Sequence, residues 1–317
     1  MTGFAIAALL ALSGAPVAPP VFRTQIGLVI LQATVKNARG EAVPGLDRDA
    51  FTVYENGRPQ AVTLFRRDDV PVSLGLAIDG SRSIRDTREE IAVAARALVR
   101  ASNPEDEVFL IRFDEKPRME VPFTSDLAVL EDGLRQLDAV GGTALRDAIE
   151  EGERYLSAQA ARDRRCLLVI TDGTDNASTT TVAKIREAAQ KRGIVIYAIG
   201  LRRGTDAPRE ARARHDLEEI TEATGGVAYF PRTPDEAGAV ALLLARQIRS
   251  QYVIGYNPSN QALDGSYRKL RVVARGAEKL TVRTRAGYRA TPDGATRGTL
   301  LRLASPEYVD EAESRKK

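Results

Sequence analysis

Two hydrophobic periodicities alternate along this chain. In "GLVILQATVKN" Val29, Leu31, Ala33 and Val35 fall on one face at period two, which predicts a half-buried strand. "FTVYENGRPQAVTLF" holds two such runs around Asn56-Gly57, a hairpin signal because both central residues of that turn need positive φ. Residues 251–289 carry the same β signature in "QYVIGYN", "YRKLRVVA" and, after an Arg275-Gly276 turn, "KLTVRTRAGY". Between these flanks the pattern changes. Apolar runs ("VSLGLAID", "EVFLIRF", "RCLLVITD", "GIVIYAIG", "GVAYF") alternate with helical stretches predicted at 87–101, 126–137, 144–157, 181–192, 215–223 and 235–250.

Near-continuous apolar strands are expected where helices cover both faces of a sheet. Strand–helix alternation then implies an α/β, doubly wound, mostly parallel sheet. "RMEVPF" at 118–123 carries Pro122 and follows its predecessor closely, which predicts an antiparallel edge strand. Each β flank is too small to bury a sufficient core by itself. Because a domain's termini tend to lie close together, the flanks are expected to form one β-sandwich-like domain into which the α/β domain is inserted. The expected organisation is a signal peptide at 1–20, β segments at 21–69 and 251–290 packed together, the α/β domain at 70–250, and a flexible tail at 291–317.

Composition narrows the chemistry. The 317 residues suit roughly two domains. The 46 basic and 43 acidic residues nearly cancel, and no basic block or motif points to nucleic acid. The single cysteine, Cys166, lies in an apolar run and is expected to be a buried thiol. The single histidine, His215, lies in an arginine-rich segment and is expected at the surface, which leaves little for a zinc site or a catalytic triad. No phosphate loop, dinucleotide fingerprint or nucleophile elbow occurs. The apolar part of residues 1–20 is too short to span a bilayer, which takes about 20 residues. It fits the apolar region of an export signal followed by small residues, though no basic residue precedes it. The chain is therefore expected to be exported, periplasmic or secreted, without an integral membrane span.

In a doubly wound sheet, ligands bind beyond the carboxyl ends of the strands, where strand order reverses. Three polar loops fall at such ends: Asp79-Gly80-Ser81-Arg82-Ser83, Gly141-Gly142-Thr143, and Asp172-Gly173-Thr174-Asp175. Taken singly, each has an ordinary explanation as a turn or helix cap, with Ser83 or Thr143 as the capping residue. Taken together they offer two carboxylates and three hydroxyls, a set that suits a hard divalent cation. The expected metal ligands are Asp79, Ser81, Ser83, Thr143 and Asp172, with Mg²⁺ as the expected ion and Mn²⁺ or Ca²⁺ as alternatives. Two further carboxylates are open to either reading. Asp114 is a solvated loop residue or a neighbour of the site; Asp175 supports the site or caps the next helix.

These motifs resemble the metal-ion-dependent adhesion site of the von Willebrand factor type A domain, Asp-x-Ser-x-Ser followed by a Thr and then an Asp. The matching positions are Asp79, Ser81 and Ser83, Thr143 in "GGTALRDAI" and Asp172 in "LLVITDGTDN". The resemblance covers about residues 70–250, and the β flanks resemble a bacterial group of exported proteins with a related domain. It implies a Rossmann-like fold and metal-dependent binding of a protein partner through an Asp or Glu carboxylate, without catalysis. Arg82 departs from many members, where a small residue separates the serines. Two other functions compete: a metal-assisted hydrolase using Asp79 as nucleophile or Asp172 as base, and a structural envelope component whose assembly needs no metal. "LRRGTDAPREARARHD" is expected to be a loop insertion on the site's edge. Its Arg202, Arg203, Arg209, Arg212 and Arg214 either are merely solvated or steer an acidic partner.

Overall fold

A computed structural model describes residues 28–67, 71–82, 84, 87–135, 141–162, 164–172, 174–201 and 207–291. The expected signal segment, Ser83, Arg202, Arg203 and all but the first residue of the expected tail lie outside the described residues.

The centre of the molecule is a six-stranded sheet. Its strands are β5 (Val72–Asp79), β6 (Glu107–Phe113), β7 (Pro117–Thr124), β8 (Arg164–Thr171), β9 (Val195–Gly200) and β10 (Ala228–Tyr229). They lie in the order β10-β9-β8-β5-β6-β7. All pairs are parallel except β6–β7, which is antiparallel and places Pro122 on the edge as the sequence predicts. Strand order reverses at β5: the chain moves first to β6 on one side, then returns to β8 on the other. Every residue of β5 is buried, because helices cover both faces. Helices α1 (Arg88–Arg100), α2 (Leu127–Arg135) and α6 (Pro234–Arg249) bury Ile91, Leu98, Leu130 and Leu244 against one face. Helices α3 (Leu145–Gln159), α4 (Val182–Arg192) and α5 (Ala207–Thr224) bury Ile149, Leu156, Ile185 and Leu217 against the other.

The remaining strands form two antiparallel four-stranded sheets. The first, ordered β13-β1-β11-β4, contains β13 (Thr281–Arg283), β1 (Val29–Lys36), β11 (Tyr252–Tyr256) and β4 (Val62–Arg66). The second, ordered β14-β12-β2-β3, contains β14 (Gly287–Arg289), β12 (Tyr267–Ala274), β2 (Phe51–Glu55) and β3 (Arg58–Gln60). Each sheet combines strands from both flanks: the first alternates them, and the second joins a C-terminal pair to an N-terminal pair through β12 and β2. Val29, Leu31, Ala33 and Val35 are buried as their spacing predicts, in one cluster with Val53, Tyr252, Ile254 and Val272. The β2–β3 turn has Asn56 at φ 47° and Gly57 at φ 82°, the conformation that its Asn-Gly sequence favours.

Three readings change. The run 279–288 is not one strand. β13 pairs with β1 and β14 with β12, so the chain crosses between sheets after Arg283. The segment expected to be a loop before His215 is helical from Ala207: Pro208 sits in the first turn, where its missing N–H costs nothing, and the Ala-, Arg- and Glu-rich stretch has high helix propensity. Arg209, Arg212 and Arg214 therefore stand on α5. Asp114 is buried rather than solvated: Arg112 and Lys116 hold its side chain, and its carbonyl accepts the Ala144 N–H at 2.7 Å. Cys166 is fully buried, and burial pushes its thiol up to about 12.

Candidate metal centre

The three loops sit at the carboxyl ends of β5 and β8 and before α3, on one edge of the sheet and at the reversal of strand order. Asp79 ends β5 opposite Phe113 of β6. The Gly80 N–H donates to the Phe113 carbonyl at 2.7 Å, which turns the chain out of the sheet at once. The Arg82 N–H then donates to the Gly141 carbonyl at 3.2 Å, tying the first loop to the second. Gly141 adopts φ 77°, a left-handed conformation open to glycine at little cost.

The second and third loops are laced to each other. The Thr143 N–H donates to Asn176 Oδ1 at 2.8 Å, and the Thr143 carbonyl accepts from the N–H groups of Asn176 and Ala177. Asp175 accepts the Arg146 N–H at 2.8 Å, and takes both the N–H and the hydroxyl of Ser178. It thus braces the first turn of the preceding helix, α3, rather than capping the next one. The N-cap positions of α1 and α3 fall on other residues than the ordinary readings require. Helix α3 has Ala144 at its N-cap and no side-chain cap; α1 has Thr87 at its N-cap, four residues after Ser83.

Asp79, Ser81 and Thr143 are all buried, and Asp172 is partly exposed. Asp79 Oδ1 accepts the Ser81 N–H at 2.8 Å and Oδ2 accepts the Thr171 hydroxyl at 2.6 Å. These bonds favour the carboxylate, but burial outweighs them. The carboxyl is pushed up from 3.8 to about 6, with the Asp172 charge adding to the rise. Asp172 Oδ2 accepts the Thr87 hydroxyl at 3.1 Å. Glu90, one turn into α1, is also raised, by its own burial first and then by Asp172. A desolvated carboxylate beside a second carboxylate, with a third near it, is an arrangement that a cation stabilises. The residues present fit a hard divalent ion. Asp79, Ser81, Thr143 and Asp172 would hold it, and the ion would supply Lewis-acid attraction for an anionic group. Among the described residues, no cluster of three His, Cys, Asp or Glu has metal-holding geometry, so the candidate set depends on hydroxyl oxygens.

Three supporting residues escape the sequence reading. Thr87 and Glu90 have the spacing of a capping box, which hides them as a helix start; the structure instead turns the Thr87 hydroxyl to Asp172. Thr171 closes an apolar strand and carries no signal beyond being polar there. The arginines of α5 split in role. Arg209 donates from Nε to the Thr174 hydroxyl, beside the Asp172 loop, while Arg214 bonds Glu218 at 2.9 Å and lies 4.4 Å over the Phe230 ring.

Residues 74–174, which hold all five expected ligands, four of them among the described residues, match the family model of the von Willebrand factor type A domain. Among solved structures, a von Willebrand factor type A protein from Catenulispora acidiphila is similar over 85% of this chain and 75% of its own, at 14% identity and a TM-score of 0.50. BatB from Bacteroides thetaiotaomicron is similar over 56% of this chain and 100% of its own, at 20% identity and a TM-score of 0.44. Proximal thread matrix protein 1 from the mussel byssus, in a structure with a zinc-occupied MIDAS motif, is similar over 61% of this chain and 49% of its own, at 16% identity and a TM-score of 0.48. At these identities the likeness concerns the fold. A search of the curated proteins finds no match.

Proposed function

We propose that this von Willebrand factor type A domain is a metal-dependent interaction module of an exported protein. It binds one divalent cation, Mg²⁺ in our reading, through Asp79, Ser81, Ser83, Thr143 and Asp172. The observation that carries the proposal is the buried Asp79 carboxylate, which sits beside Asp172 at the reversal of strand order and is destabilised by its own burial. Five protein ligands leave one position of an octahedral divalent ion open. A partner's Asp or Glu carboxylate fills it. Arg82, exposed at the site's edge, adds attraction for that carboxylate. The two antiparallel sheets built from β1–β4 and β11–β14 carry the module.

The direct test pairs metal binding with capture. Mg²⁺ at about 100 times its dissociation constant adds roughly 2.7 kcal/mol to a protein that binds it only when folded, and Asp172→Asn removes that gain. Immobilised protein then captures a partner from the source organism's envelope and secreted fractions in Mg²⁺ and releases it in chelator. Melting that ignores Mg²⁺, Mn²⁺ and Ca²⁺ alike, together with capture that survives chelation, refutes the proposal.

A further inference from the structure

Next to the candidate metal centre a cavity of about 280 Å³ opens between the ends of β8 and β9 and the inner face of α5. Asp172 forms one wall. Leu201, Leu217 and Phe230 form an apolar floor, and Glu210 and Arg214 stand at the rim. Phe230 lies against the end of β9 because residue 200 is glycine: a Cβ there would come within 2.7 Å of the ring. The cavity is therefore built into the strand end rather than left by a loose side chain.

We propose that this cavity receives a bulky apolar side chain of the protein partner, one or two residues from the acidic residue at the ion. The inference rests on the metal-dependent reading above and names the partner's local sequence. The volume lies just below the range of about 300–1,000 Å³ usual for small-molecule sites, and it exceeds the roughly 150 Å³ that takes a benzene ring, so it has room for a bulky side chain. Among the described residues, the floor side chains Leu201, Leu217 and Phe230 carry no hydrogen-bonding group, so a polar group resting on them would lose hydration without compensation. An apolar group gains by displacing water from Leu201, Leu217 and Phe230. The rim guanidinium of Arg214, already stacked on Phe230, offers a second face to an aromatic ring. Because Asp172 belongs to both the ion site and the cavity wall, the two groups must come from neighbouring residues. In an extended segment, side chains two apart share a face about 7 Å from each other.

The test selects phage-displayed octapeptides, with a fixed central Asp and random flanks, on the full chain in Mg²⁺. Ala213 of α5 also lines the cavity; selection runs in parallel on Ala213→Trp, whose indole would occupy it, and on Ala213→Glu, which puts a charge against its floor. On the unaltered chain, one position within two residues of the Asp becomes Leu, Ile, Met, Phe or Tyr. Replacing that residue by Ala in the synthetic peptide weakens binding roughly ten- to a hundredfold. In either variant the apolar preference disappears while Mg²⁺-dependent binding of the Asp remains. Metal-dependent peptides without an apolar preference, or with one that both variants leave intact, overturn the cavity assignment and spare the metal reading. Apolar peptides that bind equally in chelator and to Asp79→Ala overturn the metal reading and, with it, the paired motif. No enrichment over a protein-free control overturns both.

Discussion

Replacing Asp79 by Asn should stabilise the metal-free protein at neutral pH, although the residue is buried and both its carboxylate oxygens accept hydrogen bonds. Asn keeps the size and the acceptor for the Ser81 N–H, and its amide can donate to Thr171 Oγ1 in place of accepting from it. What it removes is the charge. The rise of the Asp79 carboxyl from 3.8 to about 6 corresponds to about 3 kcal/mol against the ionised form. The sign follows from linkage. The folded value lies above the unfolded one, so the penalty is absent below about pH 4, grows as pH rises towards 6 and is complete above it. In chelator at pH 7.5, Asp79→Asn should therefore melt about 6–12 °C above the unaltered protein, taking the usual scaling for a domain of this size. At pH 4 the two should nearly coincide. Saturating Mg²⁺ should raise the unaltered protein by a comparable amount and leave the variant unmoved. Thermal melts at the two pH values, with and without the ion, give all four comparisons. If the unaltered protein is the more stable one in chelator at pH 7.5, by a margin that pH does not change, then Asp79 is not held at a cost and the reasoning fails.

Other perturbations probe the frame around the site. A Cβ at Gly142 would lie 2.9 Å from Asn176 Oδ1, the atom that accepts the Thr143 N–H; Gly142→Ala should displace Thr143 and weaken Mg²⁺ roughly tenfold, about 1.4 kcal/mol, by calorimetric titration. Unaltered affinity would remove Thr143 from the proposed ligands. Arg164→Met strips the carbonyls of Ile248, Arg249 and Gln251 of their buried donors, and should cost about 3 kcal/mol in urea denaturation and speed amide exchange in residues 251–256. Protection unchanged in that strand would contradict the role given to Arg164. Burial pushes the Glu153 carboxyl up to about 8, with Arg192 at 3.5 Å offsetting only part of the effect. Glu153→Gln should gain on the unaltered protein as pH rises from about 5 to 8 and level off above it; a gain that pH does not alter would show that Glu153 is already ionised or solvated.

What the sequence makes legible follows from how the fold uses period. The parallel strands are buried on both faces, so their apolar runs stand out, and the candidate ligands are conspicuous because they interrupt such runs at strand ends. Asp79 after "VSLGLAI" is polar where the pattern stops, and Asp172 follows "RCLLVIT". Groups whose role depends on tertiary approach have no such contrast. Thr87 looks like a helix cap because its spacing to Glu90 is that of one; only the approach of the Asp172 loop redirects it. Asp114 looks solvated because it stands in a short turn, and its burial comes from α3 docking through Ala144. Glu153 is legible in hindsight. It occupies the buried stripe of Leu145, Ala148, Ile149, Gly152 and Leu156, where the helical period demands an apolar residue. The start of α5 is hidden by the glycine- and proline-containing stretch before Glu210, whose turn signals outweigh the helix propensity that follows.

Arginines that bind main-chain carbonyls at the amino ends of the parallel strands account for part of the chain's arginine content. At the carboxyl ends of the strands, acidic and hydroxyl groups crowd around glycine-bearing loops. At the other end, guanidinium groups bind backbone carbonyls where the α/β unit meets the two antiparallel sheets. Arg164, at the start of β8, donates to the last carbonyls of α6 and to Gln251 at the start of the returning chain. Arg249 donates to Ala101 at the end of α1. Arg283 donates to Gly226 ahead of β10, and Arg285 to Ile30 in β1. Helix ends expose carbonyls with no intrahelical partner, and the seam buries several at once. A planar fork with five donors can satisfy two or three of them from one side chain, which a lysine ammonium cannot do in a fixed plane. Buried arginine at the seam therefore joins α6, β8 and β11 through main-chain atoms, whose positions do not depend on surface charge or salt. The loops that would take the ion are left as the part of the sheet whose electrostatics respond to a ligand, mounted on an end that does not.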